Sequence, residues 1–438
     1  MTAVTDIPPS LTRQLVRLIR SKQYDHGDLH MAALFVLDTI ACAVGAAYTM
    51  PGRILGKVTP PDSRAERYAF HFGGMAHILE MDDLHRGSVT HPGCVVIPAA
   101  FALARELDLS GRAFLAAVLA GYEACARVGM AVGPKHYRVW HNTSTCGPFG
   151  SAMAAAELLG LNEDQAVWAL GNAGTQSCGL WEFLDAGAMS KHLHTARAAE
   201  AGIVAARLAR EGFTGPDRIL EGKKGFFRGL CLDPRPDAVL ADAKAPWQLR
   251  ETSIKPWPCC RHTHPTIDAA LALHDRVRAE RVGSIWAVHV ETYRAALDVC
   301  DRSAPADAYS ARFSLQHCVA AALADGSVTA SSFDNAGRQR LALLANQVSV
   351  AEDDAFEARY PTAWGSRVVV VLSNGEKLTE TRDQCKGDPA NPVNETELVA
   401  KATALMAAAG AEARAECLIQ AVLALPGDAP VRSIRLYQ

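Results

Sequence analysis

Apolar residues recur three and four apart through most of the first 250 residues, and that period predicts helices. "DLHMAALFVLDTIACAVGAA" (28–47), "GCVVIPAAFALARELDL" (93–109), "SGRAFLAAVLAGYEACARVGMAV" (110–132) and "AMSKHLHTARAAEAGIVAARLARE" (188–211) show it best, and all are rich in alanine, the strongest helix former. Several are apolar almost all round. Such helices are buried among other helices and do not lie on a sheet. "LNEDQAVWALGNAG" opens with Asn162 and Gln165 in a capping-box spacing, and "GFTGP" (212–216) interrupts the chain.

The pattern changes near residue 250. "SIWAVHVETYR" (284–294) and "SRVVVVLSNGEKLTETR" (366–382) alternate or run in β-branched residues, with an Asn-Gly turn in the second. "FSLQHCVAAALADG" (313–326) and "RQRLALLANQV" (338–348) predict helices between them, and after "CKGDPANP" the Ala-rich helical pattern returns. We therefore expect a mainly α protein. A helical domain, residues 1–249 and 386–438, is built from both chain ends and holds an inserted α+β domain, residues 250–385.

Composition narrows the function classes. With 438 residues, 49% apolar and 21% charged, the chain reads as a soluble globular protein. A formal charge of -3 with scattered Lys and Arg offers no field for a polyanion, so no nucleic-acid partner is expected. The N-terminal stretch lacks the apolar region of a secretory signal. No long apolar run lacks polar interruption, so no membrane partner is expected either. None of the twelve Cys forms a CxxC pair, and Cys42, Cys94, Cys125, Cys318 and Cys417 sit in apolar runs, a usage that suits a cytoplasmic protein.

Cofactor motifs are missing: there is no GxGxxG, P-loop, HExxH or GxSxG. In "CCRHTH" (259–264) the adjacent cysteines do not have zinc-ligand spacing, so no metal and no cofactor is expected. Polar groups nevertheless gather in four stretches. "LEMDDLHRGSVTHPG" (79–93) carries Glu80, Asp82, Asp83, His85, Arg86 and His91 between two apolar segments. Pro92 suits a helix start and biases His91 to an extended conformation.

"YRVWHNTSTCGPFGSAMAAAELLG" (137–160) places His141 before Thr143, Ser144 and Thr145 at a helix mouth, where hydroxyls and free N–H groups serve a carboxylate or simply cap the helix. "GAMSKHLHTARAAEAG" sets Lys191 at a helix start, a position the helix dipole disfavours for a cation, with Arg197 two turns on. An anionic substrate explains that lysine; a surface lysine with a snorkelling side chain is the alternative. "SIKPWPCCRHTHPTIDAALAL" strings Lys255, Arg261, His262 and His264 before an apolar helix, Lys255 and Arg261 being suited to a carboxylate.

Taken together, "GGMAHILEMDDLHRGSVTHPG", "WHNTSTCGPFGSAMAAAELLGLNEDQAVWALGNAG", "GAMSKHLHTARAAEAG", "KPWPCCRHTHPTIDA" and "FSLQHCVAAALADG" resemble the MmgE/PrpD family in content and order. Its members include 2-methylcitrate dehydratase, cis-aconitate decarboxylase and iminodisuccinate epimerase. The resemblance implies a helical domain from both chain ends with an inserted lid, a homodimer, and an active site between the domains that uses no metal or organic cofactor.

It also implies proton abstraction next to a carboxylate of a small di- or tricarboxylic acid. The family's acidic position falls on Glu80, its His-Pro histidine on His91, its loop histidine on His141, its helix lysine on Lys191 and its lid lysine on Lys255. In the expected mechanism His141 is the base and Lys191 stabilises the enolate. His91, held by Glu80 or Asp83, returns a proton. Lys255, Arg261, His262, His317, Arg86, Thr143 and Ser144 are the expected substrate contacts. The chain departs from the family at Glu80, where Asp is common, at His317, where Tyr is common, and at Asn142, where Pro is frequent. Loss of water is the leading expectation. Epimerisation and decarboxylation are the alternatives, and a non-catalytic binding protein is a third class.

Overall fold

The computed structural model describes residues 8–61, 64–279 and 285–437. Ser284, where the first expected strand opens, and the first seven residues of the N-terminal stretch lie outside them. The chain is mainly α and divides into two compact units. The larger comprises the residues up to Ile78, Asp82–Thr252, and those from Asn394 onward; the smaller comprises Leu79–Met81 and Ser253–Val393.

In the larger unit the helix Asn142–Leu158 is packed by Gly111–Ala131, Gly93–Glu106, Glu163–Gly174 and Ser190–Arg210. Small residues allow these backbones to come close: a Cβ on Gly202 would stand 2.2 Å from Ser151 Oγ and 2.3 Å from the Ala152 nitrogen. The helix His26–Gly45 starts on an Asp25–Asp28 capping box, and the C-terminal helix Glu395–Ala408 packs on it. Lys401 and Asp38 form a buried ion pair between those two helices. Two segments, His26–Tyr48 and Gly111–Ala131, are long and apolar enough to cross a membrane, but 83% of the apolar window of each is buried in the protein. Their apolar surface is used on neighbouring helices.

The smaller unit holds a four-stranded sheet ordered Val348–Glu352, Ile285–Thr292, Ser366–Leu372, Lys377–Arg382, its first pair parallel and the others antiparallel. Alternation decides its faces: Val368, Val370 and Leu372 are buried, and Val288 and Val290 lie beside them across the register. The helix His264–Ala279 packs on the last two strands and on Leu315–Asp325. The stretch 366–382 reads in the structure as two strands joined at Gly375, whose φ of 86° suits glycine.

Candidate active site

The chemistry of the larger unit gathers where the helix Ala65–Ala76 ends at His77 and the chain runs through a buried loop to the helix Gly93–Glu106. Burial forces each polar group in that loop to find a partner. Asp83 accepts from the Gly93 nitrogen at 2.9 Å and is bonded to the Tyr122 hydroxyl at 2.7 Å. Its carboxyl is pushed well above its ordinary range by burial, the Tyr122 bond opposing this, and the Tyr122 phenol is raised as well, again chiefly by burial. His85 has both nitrogens engaged, by Ser88 Oγ at 2.8 Å and Gln248 Oε1 at 3.0 Å.

Around this loop stand His77, His91, His141, Lys191 and His192, all buried. The His77 ring stacks on His141 at 5.6 Å, meets His91 edge-on at 4.8 Å, and faces His192 at 6.4 Å. His141 caps the helix Asn142–Leu158 by its backbone, and its Nδ1 lies 3.3 Å from His194 Nδ1. Burial first, then the charges of Lys191 and the neighbouring histidines, hold the His141 imidazole well below its ordinary range. His194 is lowered to about 4 by burial, with His77 and Lys191 adding to it. Both rings are therefore neutral bases at neutral pH. Lys191, the second residue of Ser190–Arg210, is buried and does not snorkel.

Hydrogen bonds assign the tautomers of two rings. His91 Nδ1 lies 2.6 Å from the Asp83 carbonyl oxygen, which can only accept, so Nδ1 carries the hydrogen and the lone pair of the neutral ring is on Nε2. His77 Nδ1 donates in the same way to the Asp82 carboxylate at 2.7 Å. Ligating atoms of His77, Asp82 and His91 lie within 4.8 Å of one another, the spacing of a possible metal site. The short Nδ1 contacts are hydrogen bonds, so those two nitrogens have no lone pair for a metal and the remaining lone pair of each neutral ring is on Nε2.

Within the smaller unit, Lys255 donates to the Glu80 carbonyl oxygen at 3.0 Å and its Nζ lies 3.8 Å from the Glu80 carboxylate. Glu80 sits at φ 57°, a left-handed conformation. Arg261 is committed inside the unit: it bonds Asp388 at 2.7 Å, the Lys386 carbonyl oxygen at 3.0 Å and His264 Nδ1 at 2.9 Å. His262 stacks on Trp364 at 4.5 Å and bonds the Tyr293 hydroxyl at 2.8 Å; burial, with Lys255 adding to it, takes its pKa down to about 3. His317 bonds the Ser332 carbonyl oxygen at 2.7 Å, and burial lowers its pKa.

The structure thus brings His91, His141 and Lys191 into one cluster and moves several expected details. His91 is held by the Asp83 main chain, while the Asp83 carboxylate serves Gly93 and Tyr122; the nearer carboxylate is Asp82, at 3.5 Å. His141 is the N-cap of Asn142–Leu158, so Thr143, Ser144 and Thr145 lie within its first turn and none of them is the cap, while Thr143 Oγ1 accepts from the His91 nitrogen at 3.0 Å. Ser144 Oγ is buried with no hydrogen-bond partner among the described residues. Arg86 occupies the partly buried turn after His85, and Arg197 is exposed and paired with Glu200. Sequence reading missed His77, His192 and His194, and it named Asp82 without giving it a role. The signal available for His77 was a histidine, uncommon in a buried apolar helix, five residues before a carboxylate.

Comparison with known proteins identifies the family. The MmgE/PrpD N-terminal domain matches residues 13–238, and the MmgE/PrpD C-terminal domain matches residues 257–426. The chain belongs to the MmgE/PrpD family. A cis-aconitate decarboxylase of Aspergillus terreus is 27% identical over 403 residues, covering 82% of this chain and 81% of the relative. A cis-aconitate decarboxylase-like protein of Aspergillus oryzae is 27% identical over 388 residues, with coverages of 83% and 80%. The human cis-aconitate decarboxylase is 28% identical over 362 residues, covering 78% of this MmgE/PrpD chain and 73% of the relative. The family is enzymatic and its matched members are of lyase type.

Proposed function

We propose that this MmgE/PrpD chain is a carboxy-lyase acting on a small tricarboxylic acid of the cis-aconitate kind. The observation that carries the reading is the buried Lys191 ammonium at a helix start, its charge acting on the neutral imidazoles of His141 and His194. A buried cation at the positive end of a helix is an anion site. When a carboxylate leaves as carbon dioxide, its bonding electrons remain on carbon beside another carboxylate. Lys191 stabilises that enolate-like charge, and an imidazolium completes the reaction by protonating the carbon. The relatives named for cis-aconitate decarboxylation support the choice of leaving group.

Loss of water is the second reading, and the His91 tautomer favours it. With Nδ1–H committed to the Asp83 carbonyl oxygen, Nε2 is the ring atom that would carry a proton to a departing hydroxyl after His141 has taken one from carbon. Incubation of the purified protein with citrate-, aconitate-, malate- and aspartate-like acids in deuterated water, followed by NMR and mass spectrometry, separates the readings. Loss of carbon dioxide from cis-aconitate with one deuterium gained supports the first. Loss of water supports the second, and deuterium in an unchanged or inverted acid indicates epimerisation. No product and no exchange with any acid overturns the proton-transfer reading.

A further inference from the structure

We propose that His77, held by Asp82, is a further acid–base residue of this site, the one that stores the proton delivered to carbon. This rests on the reading above and goes beyond it, since neither loop nor family pattern singled His77 out. Three observations carry it. His77 Nδ1 donates to Asp82 Oδ2 at 2.7 Å, with both side chains fully buried. That bond leaves Nε2 as the only atom of the ring able to gain or lose a proton. Nε2 itself is buried and has no hydrogen-bond partner among the described residues. A buried acceptor left unsatisfied is costly, and its retention points to a ligand group or a proton that arrives from outside the chain.

The neighbours support a division of labour. His77 is faced by Asp82 and His91 from the loop, by His141 from the mouth of the helix Asn142–Leu158, and by His192 from Ser190–Arg210, with the charge of Lys191 from that helix felt by His141. His141 has a histidine as its ring partner, and His91 Nδ1 has a carbonyl oxygen. His77 makes a short bond to a carboxylate, the partner that stabilises an imidazolium and fixes its tautomer. The step balances as follows. The bond from carbon to the departing carboxylate breaks and its electron pair stays on carbon. The Nε2–H bond of His77 then breaks as the C–H bond forms, leaving His77 neutral and still bonded to Asp82. A proton from water reloads Nε2.

The test uses the full chain, with His77→Gln and Asp82→Asn as variants. With cis-aconitate as the probe, His77→Gln is expected to lower kcat by roughly 10² to 10⁴, with KM within about threefold. Asp82→Asn, which favours the opposite tautomer, is expected to lower kcat by a similar factor and to displace the acidic limb of the kcat–pH profile. If the wild type turns over and His77→Gln keeps kcat within about tenfold, or lowers it with no effect of Asp82→Asn on the profile, the proposal is overturned.

The second measurement needs no turnover: NMR of the protein labelled with ¹⁵N-histidine. One ring, absent in His77→Gln and shifted in Asp82→Asn, should keep Nδ1 protonated at every pH while Nε2 titrates. A ring with Nε2 protonated throughout and Nδ1 bare would sink the proposal even if no acid on the panel reacts. A silent wild type showing the expected ring would instead count against the decarboxylase reading alone.

Discussion

At the scale of single residues, His141 and Lys191 separate by what they lose. On the loss-of-water reading, in which His141 takes the proton from carbon, His141→Ala is expected to lower turnover by roughly 10² to 10⁴, the usual worth of a positioned general base, with the unfolding transition retained. Turnover within about tenfold of wild type would remove it from that role. Lys191→Ala should weaken both substrate binding and rate, whereas Lys191→Arg restores charge but brings a wider, planar head into a fully packed position. We expect binding to return in part and rate to stay low, as read from separate KM and kcat values. The grouping of His91, His141 and Lys191 was legible in the sequence because each stands in a short motif of the family that the chain resembles. His77 and Asp82 were not. Their partnership arises from the turn of a buried loop, and nothing in "AHILEMDD" says which of three carboxylates folds back on the ring.

At the scale of elements, the packing of glycine-bearing helices makes opposite predictions for the same substitution. Gly202→Ala would drive a Cβ into the Ala152 backbone, which cannot rotate away, so the helices Ser190–Arg210 and Asn142–Leu158 must separate. Overpacking of this kind costs about 1–3 kcal/mol or more, and the denaturation midpoint should fall accordingly. Gly56→Ala, in the helix Met50–Val58, meets nothing within 4 Å and should stabilise by about 0.5–1 kcal/mol. Equal shifts at the two sites would show that backbone propensity, and not the close approach, sets the effect. The helices and the 285–292 and 366–382 strands were readable because burial imposes a period of 3.6 or 2 on composition. The allocation of Leu79–Met81 to the smaller unit was not, because three residues carry no period.

For the molecule as a whole, buried histidines set its tolerance of acid. Burial lowers His71, His85 and His136 to about 4, lowers His194 to about 4 and takes His262 to about 3, while the unfolded chain titrates near 6.5. Above pH 6.5 both states leave these rings neutral, and stability does not depend on them. Between pH 6.5 and 4 the unfolded chain binds protons that the native protein refuses, so stability falls with falling pH. Below the folded pKa values both states are protonated and the loss levels off. A ring moved from 6.5 to about 4 contributes roughly 3 kcal/mol across that window, and two or three such rings approach the 5–15 kcal/mol that holds an ordinary domain together. We therefore expect thermal unfolding temperatures to be flat from pH 8 to 6.5 and to drop steeply below it, with unfolding at room temperature before pH 4. The onset identifies the cause. Paired carboxylates such as Glu163, held to about 2 by Arg17 and Arg13, are given up only at lower pH. A curve that stays flat to pH 4.5 and falls only there would assign acid sensitivity to carboxylates and show that the histidine cluster opens to water without unfolding the chain.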